Sequence, residues 1–266
     1  MSLNFAGISP HAPILIPGIG EKEDLIKLVN TTNSLNKLSR IVSEAEIDTL
    51  IIISPHMLIY PDRFNICGME KLFGSFASFG FPEESIQAKN NLELAELIDQ
   101  KSQENALNSV LFDNNGEFFE LDHGLMVPLR YILKNQENSI KILPIAYSNM
   151  SKADHFAFGQ VIREILKDYP ERVGILASGD LSHQLIQQPD TKEYDLQFVN
   201  DLEKKQIQDI LLYDEEMMNT WSECGYRSVL ILLGALDGAQ NKPEILSYEG
   251  PFGVGYLTAN FKLPEV

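Results

Sequence analysis

Cysteine is almost missing from this chain: Cys67 and Cys224 are the two thiols in 266 residues. Two thiols cannot build the disulfide framework of a small secreted domain, and neither needs a bridge in a reducing compartment. Long apolar runs are missing too. No stretch approaches the ~18 uninterrupted apolar residues of a membrane span, and the opening residues lack the basic-then-apolar order of an export signal. Cations are scarce, with 21 Lys+Arg against 38 Asp+Glu and a formal net charge of −17. Such a field repels phosphate backbones and anionic bilayers, so neither nucleic acid nor membrane is an expected partner. There is no phosphate-cradling loop, dinucleotide glycine fingerprint, internal repeat or linker rich in Gly, Ser or Pro. These absences predict a soluble cytoplasmic protein with one domain over residues 1–266.

What is present is enough apolar residue, 44% of the chain, to bury a large core. Strongly apolar runs alternate with helical patterns. Leu3–Ser9, Ile47–Ser54, Ile140–Ala146 and Val173–Ser178 read as strands covered on both faces. Apolar spacings of three and four predict helices over 21–46, 91–104, 152–167 and 223–236, with Asp122 as the N-cap of another that begins at His123. Shorter strands are expected at 63–67, 74–80 and 109–112, a charged, solvated helix at 195–213, and closing strands at 244–248 and 254–261. The pattern is α/β: a mostly parallel central sheet flanked by helices, with its active site at the carboxyl edge of the strands.

The polar residues cluster at those edges. Ser9-Pro-His11, Ser54-Pro-His56 and Ser178-Gly-Asp-Leu-Ser-His183 each follow a buried run, and Leu121-Asp-His123 opens a helix. His155, the fifth histidine, lies between Asp154 and Phe156 inside a helical pattern and reads as an ordinary helix residue. Neutral imidazoles on loops that share a sheet edge suit a metal, although spacing alone is equally compatible with scattered surface histidines. A Ser-His-Asp hydrolase built from Ser178 or Ser182, Asp180 and His183 is the competing reading. It lacks the Gly-x-Ser-x-Gly elbow, and near neighbours in sequence rarely face each other as a triad must. Cys224 reads either as a thiol activated at a helix start or as a small buried hydrophobe.

Taken together the motifs resemble the class III extradiol ring-cleavage dioxygenase (LigB-like) superfamily. They are Ser9-Pro-His11-Ala-Pro-Ile-Leu-Ile-Pro17, Ile53-Ser-Pro-His56, Leu121-Asp-His123-Gly-Leu-Met-Val-Pro128, Ser178-Gly-Asp-Leu-Ser-His183, Glu223-Cys-Gly225 and Ser247-Tyr-Glu-Gly-Pro-Phe-Gly-Val-Gly-Tyr256. Within that superfamily the chain is most similar to the LigB-like domain of the AmmeMemoRadiSam group, and it shares the Cys-Gly stretch of the Memo proteins. The resemblance implies a non-haem Fe(II) enzyme that opens a small aromatic diol with dioxygen, with Zn or another divalent metal as the alternative. It assigns His11 and His56 to the metal and leaves the third ligand between Glu223 and Cys224, with Glu249 as a further carboxylate. His183 would accept a proton from the diol, His123 would act as the acid, Asp122 and Asp180 would orient the imidazoles, and Tyr60 and Asp180 would face the substrate. It also implies a homo-oligomer or an AMMECR-type partner domain. The other reading is a metal-binding accessory protein of the AmmeMemoRadiSam system, without ring cleavage.

Overall fold

The computed structural model describes residues 2–135 and 140–264. Chain direction is set by buried strands and the helices that return over them. β1 (Leu3–Ser9) passes through a 3-10 turn into α1 (Lys22–Lys27) and α2 (Val29–Glu44), and the chain re-enters the sheet as β2 (Thr49–Ser54). The single helix expected over 21–46 is interrupted at Leu28 (φ −103°, ψ 20°). Glu249, far along the chain, caps the second piece: its carboxylate accepts from the Thr31 amide at 2.7 Å and the Thr31 hydroxyl at 2.6 Å.

β3 (Phe64–Cys67) leads to a hairpin of β4 (Lys71–Phe76) and β5 (Phe81–Lys89), then α3 (Leu92–Glu104), β6 (Ser109–Phe112), β7 (Phe119–Glu120) and α4 (His123–Ile132). The strand expected over 74–80 thus ends at Phe76. A 3-10 turn at Ala77–Phe79 and Gly80, at φ 85°, reverse the chain there. β8 (Lys141–Ala146), α5 (Lys152–Leu166) and β9 (Val173–Ser178) make a second crossover. After it come α6 (Thr191–Glu203), α7 (Ile207–Leu211), α8 (Glu215–Trp221), α9 (Tyr226–Ala235), β10 (Lys242–Glu249) and β11 (Tyr256–Lys262). The helix expected over 195–213 is two helices, separated at Lys205, which has φ 57°.

The main sheet has eight strands in the order β10-β11-β1-β9-β2-β8-β3-β6, and β5-β4-β7 form a small second sheet. β1, β9, β2 and β8 run parallel, while β11 joins β1 and β3 joins β8 in the antiparallel sense. Along β2 the side chains alternate between two cores. Leu50 and Ile52 pack with Leu35, Leu38, Leu125 and Leu129 under α2 and α4, and Ile51 and Ile53 pack with Phe158, Ile162 and Val229 under α5 and α9. Every residue of β2 is buried. Burial of each Ile or Leu contributes ~1.5–3 kcal/mol, which fixes the register on which the site depends.

That register brings the strand ends level. Ser9 pairs with Ser178, Ile53 with Ala177 and Ser54 with Ala146. The chain therefore leaves four neighbouring parallel strands at the same height, where the Ser-Pro-His and Ser-Gly-Asp segments begin.

Candidate metal centre

His11, His56 and His123 converge above this edge, with one ring nitrogen from each lying within 4.8 Å of the others. His11 follows β1, His56 follows β2, and His123 is the first residue of α4, so three separate elements deliver them. His11 is buried, His123 half-buried and His56 exposed. The Nε2 atoms of His11 and His56 stand 3.0 Å apart. Burial, reinforced by His56, His123 and His183, holds His11 well below the usual imidazole pKa. Burial, with His123 and His183, brings His56 down to about 4, and burial lowers His123. All three rings are therefore neutral near pH 7, the form that binds metals.

The His11 tautomer is set by a chain of bonds that begins at a proline. Pro128 lies inside α4 and has no amide hydrogen, so the Gly124 carbonyl four residues earlier lacks its helical donor. The Ser178 hydroxyl at the end of β9 donates to that carbonyl at 2.5 Å. With its one proton committed, Ser178 Oγ accepts from His11 Nδ1–H at 3.1 Å. The Nε2 lone pair of His11 is left facing His56. Two neutral imidazole nitrogens at 3.0 Å and a third beside them form a donor set that one cation would satisfy, so the residues fit a metal.

Asp180 and Asp122 support the rings from below. Asp180 is buried, and its Oδ1 accepts from the His11 amide at 3.0 Å. Burial pushes its carboxyl up to about 7 against that bond. Asp122 caps α4 through the Leu125 amide and accepts from the Ser54 hydroxyl at 2.9 Å, while Ser54 Oγ accepts from the His56 amide. Burial raises Asp122 to about 6, and its Oδ2 has no partner among the described residues.

The neighbouring pair Glu223-Cys224 points in two directions. Cys224 Sγ lies 3.5 Å from His11 Nε2, and it accepts from the Asp180 amide at 3.2 Å. The Glu223 carboxylate turns to the first turn of α9 and accepts from the Tyr226 amide. Burial raises it to about 7, with the Tyr226 amide and Arg227 lowering it. Burial, the Asp180 charge and Glu223 drive the Cys224 thiol well up. The close approach depends on two glycines. A Cβ on Gly179 would stand 2.1 Å from the Cα of Gly225, so the strand-end turn and the start of α9 touch through bare backbone.

His183 sits at the rim, half-buried, with both its amide (3.2 Å) and its Nδ1–H (2.7 Å) donating to the Ser222 carbonyl. Its Nε2 therefore carries the lone pair. Beside His123, with Phe79 packed edge-on to it at 6.0 Å between ring centroids, is a cleft of about 310 Å³ lined by Phe76, Phe79, Glu120 and Met126. The hydrogen bonds and ring contacts of Tyr60 run elsewhere: Arg63 stacks on it at 5.7 Å and its carbonyl accepts from the Asn149 amide. Glu249 is occupied as the cap of α2. His155 is fully buried, with Nδ1 donating to the Ser151 carbonyl at 2.7 Å and Nε2 accepting from the Ser148 amide. Sequence reading missed Ser54 and Pro128 as site residues and gave Ser178 only the role of a hydrolase nucleophile, although each stands inside a motif it had singled out.

A family model described as the catalytic LigB subunit of aromatic ring-opening dioxygenase matches residues 6–259. The chain belongs to the LigB family. It is 34% identical over 268 residues to protein CA_C1420 of Clostridium acetobutylicum, a match that takes in 96% of this chain and 57% of that relative. The chain thus spans little more than half of that protein's length. It is 23% identical over 203 residues to 3,4-dihydroxyphenylacetate 2,3-dioxygenase of Escherichia coli, covering 74% of this chain and 69% of the enzyme. The crystal structure of an uncharacterized Escherichia coli K12 protein has the same fold, with a TM-score of 0.69, 17% identity, and coverage of 97% of this chain and 99% of that one. As in that structure, the sheet and its flanking helices form a mixed α/β fold, which is the class the sequence predicted.

Proposed function

We propose that this LigB-family chain is a metal-dependent enzyme of the extradiol dioxygenase type, acting on a small catechol-like diol. The observation that carries the reading is the convergence of three neutral imidazoles beside a fourth whose Nε2 is free. His11 and His56 would hold the metal through Nε2. His123 lies inside the same cluster, which supports a ligand role for it over the acid role that the family resemblance suggested. A bound Fe(II) would supply Lewis acidity and a path for electrons from the diol to dioxygen. His183, oriented by Ser222, would take a proton from a diol hydroxyl through Nε2, a step worth ~10²–10⁴ in rate for a well-placed base. The aromatic cleft beside His123 would receive the ring, and burial of His11, Asp180 and Ser178 keeps water from the floor of the site. The test is anaerobic loading with Fe(II), followed by oxygen uptake with a panel of catechols. Uptake with a coloured ring-opened product is expected, and its absence with correctly loaded protein would count against the reading.

A second reading is supported by Cys224 facing His11 while Glu223 turns away. A His-His-Cys donor set is softer than two histidines and a carboxylate, and it suits Zn or Cu(I) in a metal-binding accessory protein. Metal content after purification without added metal separates the readings. Loss of metal in Cys224→Ala but not Glu223→Ala would favour the second donor set.

A further inference from the structure

We propose that Asp195, on the first turns of α6, is the positioning residue for His183. This rests on the reading of His183 as the base. The sequence places Asp195 in a charged, solvated helix, yet the residue is completely buried. Three elements remote in sequence close around its carboxylate. The Ser182 amide donates to Oδ1 at 2.9 Å, the Trp221 indole N–H donates to the same oxygen, and the Tyr248 hydroxyl donates to Oδ2 at 2.7 Å. The fit leaves no spare room on the fourth side, where a Cβ on Gly255 would stand 2.1 Å from Oδ2.

Two of those donors are the residues next to the groups that orient His183. Ser182 precedes His183 in the chain. Trp221 precedes Ser222, whose carbonyl accepts both the amide and the Nδ1–H of His183. Ser222 adopts the left-handed conformation, φ 51° and ψ 48°, as it ends α8. A side chain other than glycine, asparagine or aspartate is costly there, so something must hold it. The anchored indole of Trp221 contributes from the preceding residue, beside the hydrogen bonds from the Ser222 amide to the Met218 carbonyl and from the Cys224 and Gly225 amides to the Asp180 carbonyl. Asp195 thus fixes the ring's own loop and the carbonyl that chooses its tautomer, with one carboxylate. The His183 loop is further laced to the segment before β11 by Leu181 N–H to Gly255 O and Gly255 N–H to Ser182 O, both 2.8 Å. Those backbone bonds place the loop, but none reaches Ser222.

The test reads the ring itself and needs no turnover. In metal-free protein, long-range ¹H–¹⁵N spectra of labelled histidine report each tautomer, with His183 assigned by its disappearance in His183→Gln. Wild type is expected to show His183 with the proton on Nδ1. In Asp195→Ala the His183 nitrogens should average between tautomers while those of His155, held by Ser151 and Ser148, keep their positions. Asp195→Asn, whose amide oxygen still accepts from Ser182 and Trp221, should restore most of the wild-type signature. A folded Asp195→Ala protein with an unchanged His183 tautomer would overturn the proposal. If Asp195→Ala does not fold, Trp221→Phe removes only the arm leading to Ser222, and it decides the question by the same signature. In Fe(II)-loaded protein the variants should lower kcat for catechols with little change in KM. A tautomer effect without any turnover in wild type would uphold the positioning role and reject the dioxygenase reading.

Discussion

Replacing Ser178 with alanine removes one hydroxyl and two hydrogen bonds that meet on it. The Gly124 carbonyl, which Pro128 leaves without its helical donor, loses the Ser178 hydroxyl, and His11 Nδ1–H loses its acceptor. Each is a buried polar group left without a partner, at a cost of ~1–3 kcal/mol apiece. For a chain of this size that lowers Tm by on the order of 10 °C. The second consequence is specific to the centre. Without the Ser178 acceptor the His11 ring is free to exchange tautomers and to rotate, and losing such an outer partner weakens metal binding by ~10–100-fold, or about 1.4–2.7 kcal/mol. Chelator competition with Co(II) or Zn, run at a temperature where wild type and variant are both folded, measures that term apart from stability. The expected result is a lower Tm together with weaker metal binding. A folded Ser178→Ala protein that binds metal as tightly as wild type would show that the relay from Pro128 to His11 does not govern the centre.

Pro128→Ala tests the same relay from its other end. A restored amide would compete for Gly124 at a gain of ~1 kcal/mol, offset by ~0.4–1 kcal/mol of added freedom in the unfolded chain. Tm should barely move while metal affinity falls, and a large drop in Tm would refute this. Gly179→Ala forces a Cβ to 2.1 Å from Gly225 and must separate the β9 turn from the start of α9. Loss of at least ~2 kcal/mol in urea unfolding is expected, with Cys224 displaced, and an unchanged midpoint would contradict the packing. His155 gives a pH prediction. Burial brings its pKa down to about 4 from 6.5. Between those values the unfolded chain binds a proton that the folded chain refuses, so the contribution is complete above pH 6.5 and lost as pH falls toward 4. The full effect is on the order of 3 kcal/mol. Asp180, Asp122 and Glu223, raised to between about 6 and 7, act the other way, costing stability as pH rises from about 4 through that range. Comparing denaturant stability at pH 7 and pH 5 in wild type and His155→Gln isolates the histidine, whose removal should shrink the acid loss.

Much of the edge chemistry was legible because a strand buried on both faces must be a nearly unbroken apolar run, and whatever polar residue follows it has to stand on a loop at the sheet edge. His11, His56 and His183 carry that signal directly. His123 was visible through its helix cap, but its entry into the cluster was not, since it depends on how α4 docks on the sheet. The Glu223-Cys224 corner resisted because adjacent residues at a helix start face opposite ways, and register uncertain by one residue exchanges their roles. Asp195 was invisible for another reason. Its charge fitted the polar pattern of α6, while the donors that allow it to be buried come from Ser182, Trp221 and Tyr248. β5 and β7 escaped notice because one is largely exposed and the other is two residues long. The break at Leu28 requires a carboxylate more than two hundred residues away.

The lacing of the His183 loop to Gly255, and through the Leu185 amide to the Gly253 carbonyl at 3.1 Å, has a bearing on biosynthesis. β1, which delivers His11, lies in the sheet between β9 and β11, and β11 begins only at Tyr256. A nascent chain therefore exposes His11, His56 and His123 long before β11, the strand that pairs with β1, has been made. Contacts of such sequence separation form late. The centre should be assembled, and competent to retain a metal, only once β11 has joined the sheet, so truncation before Gly253 should abolish metal retention.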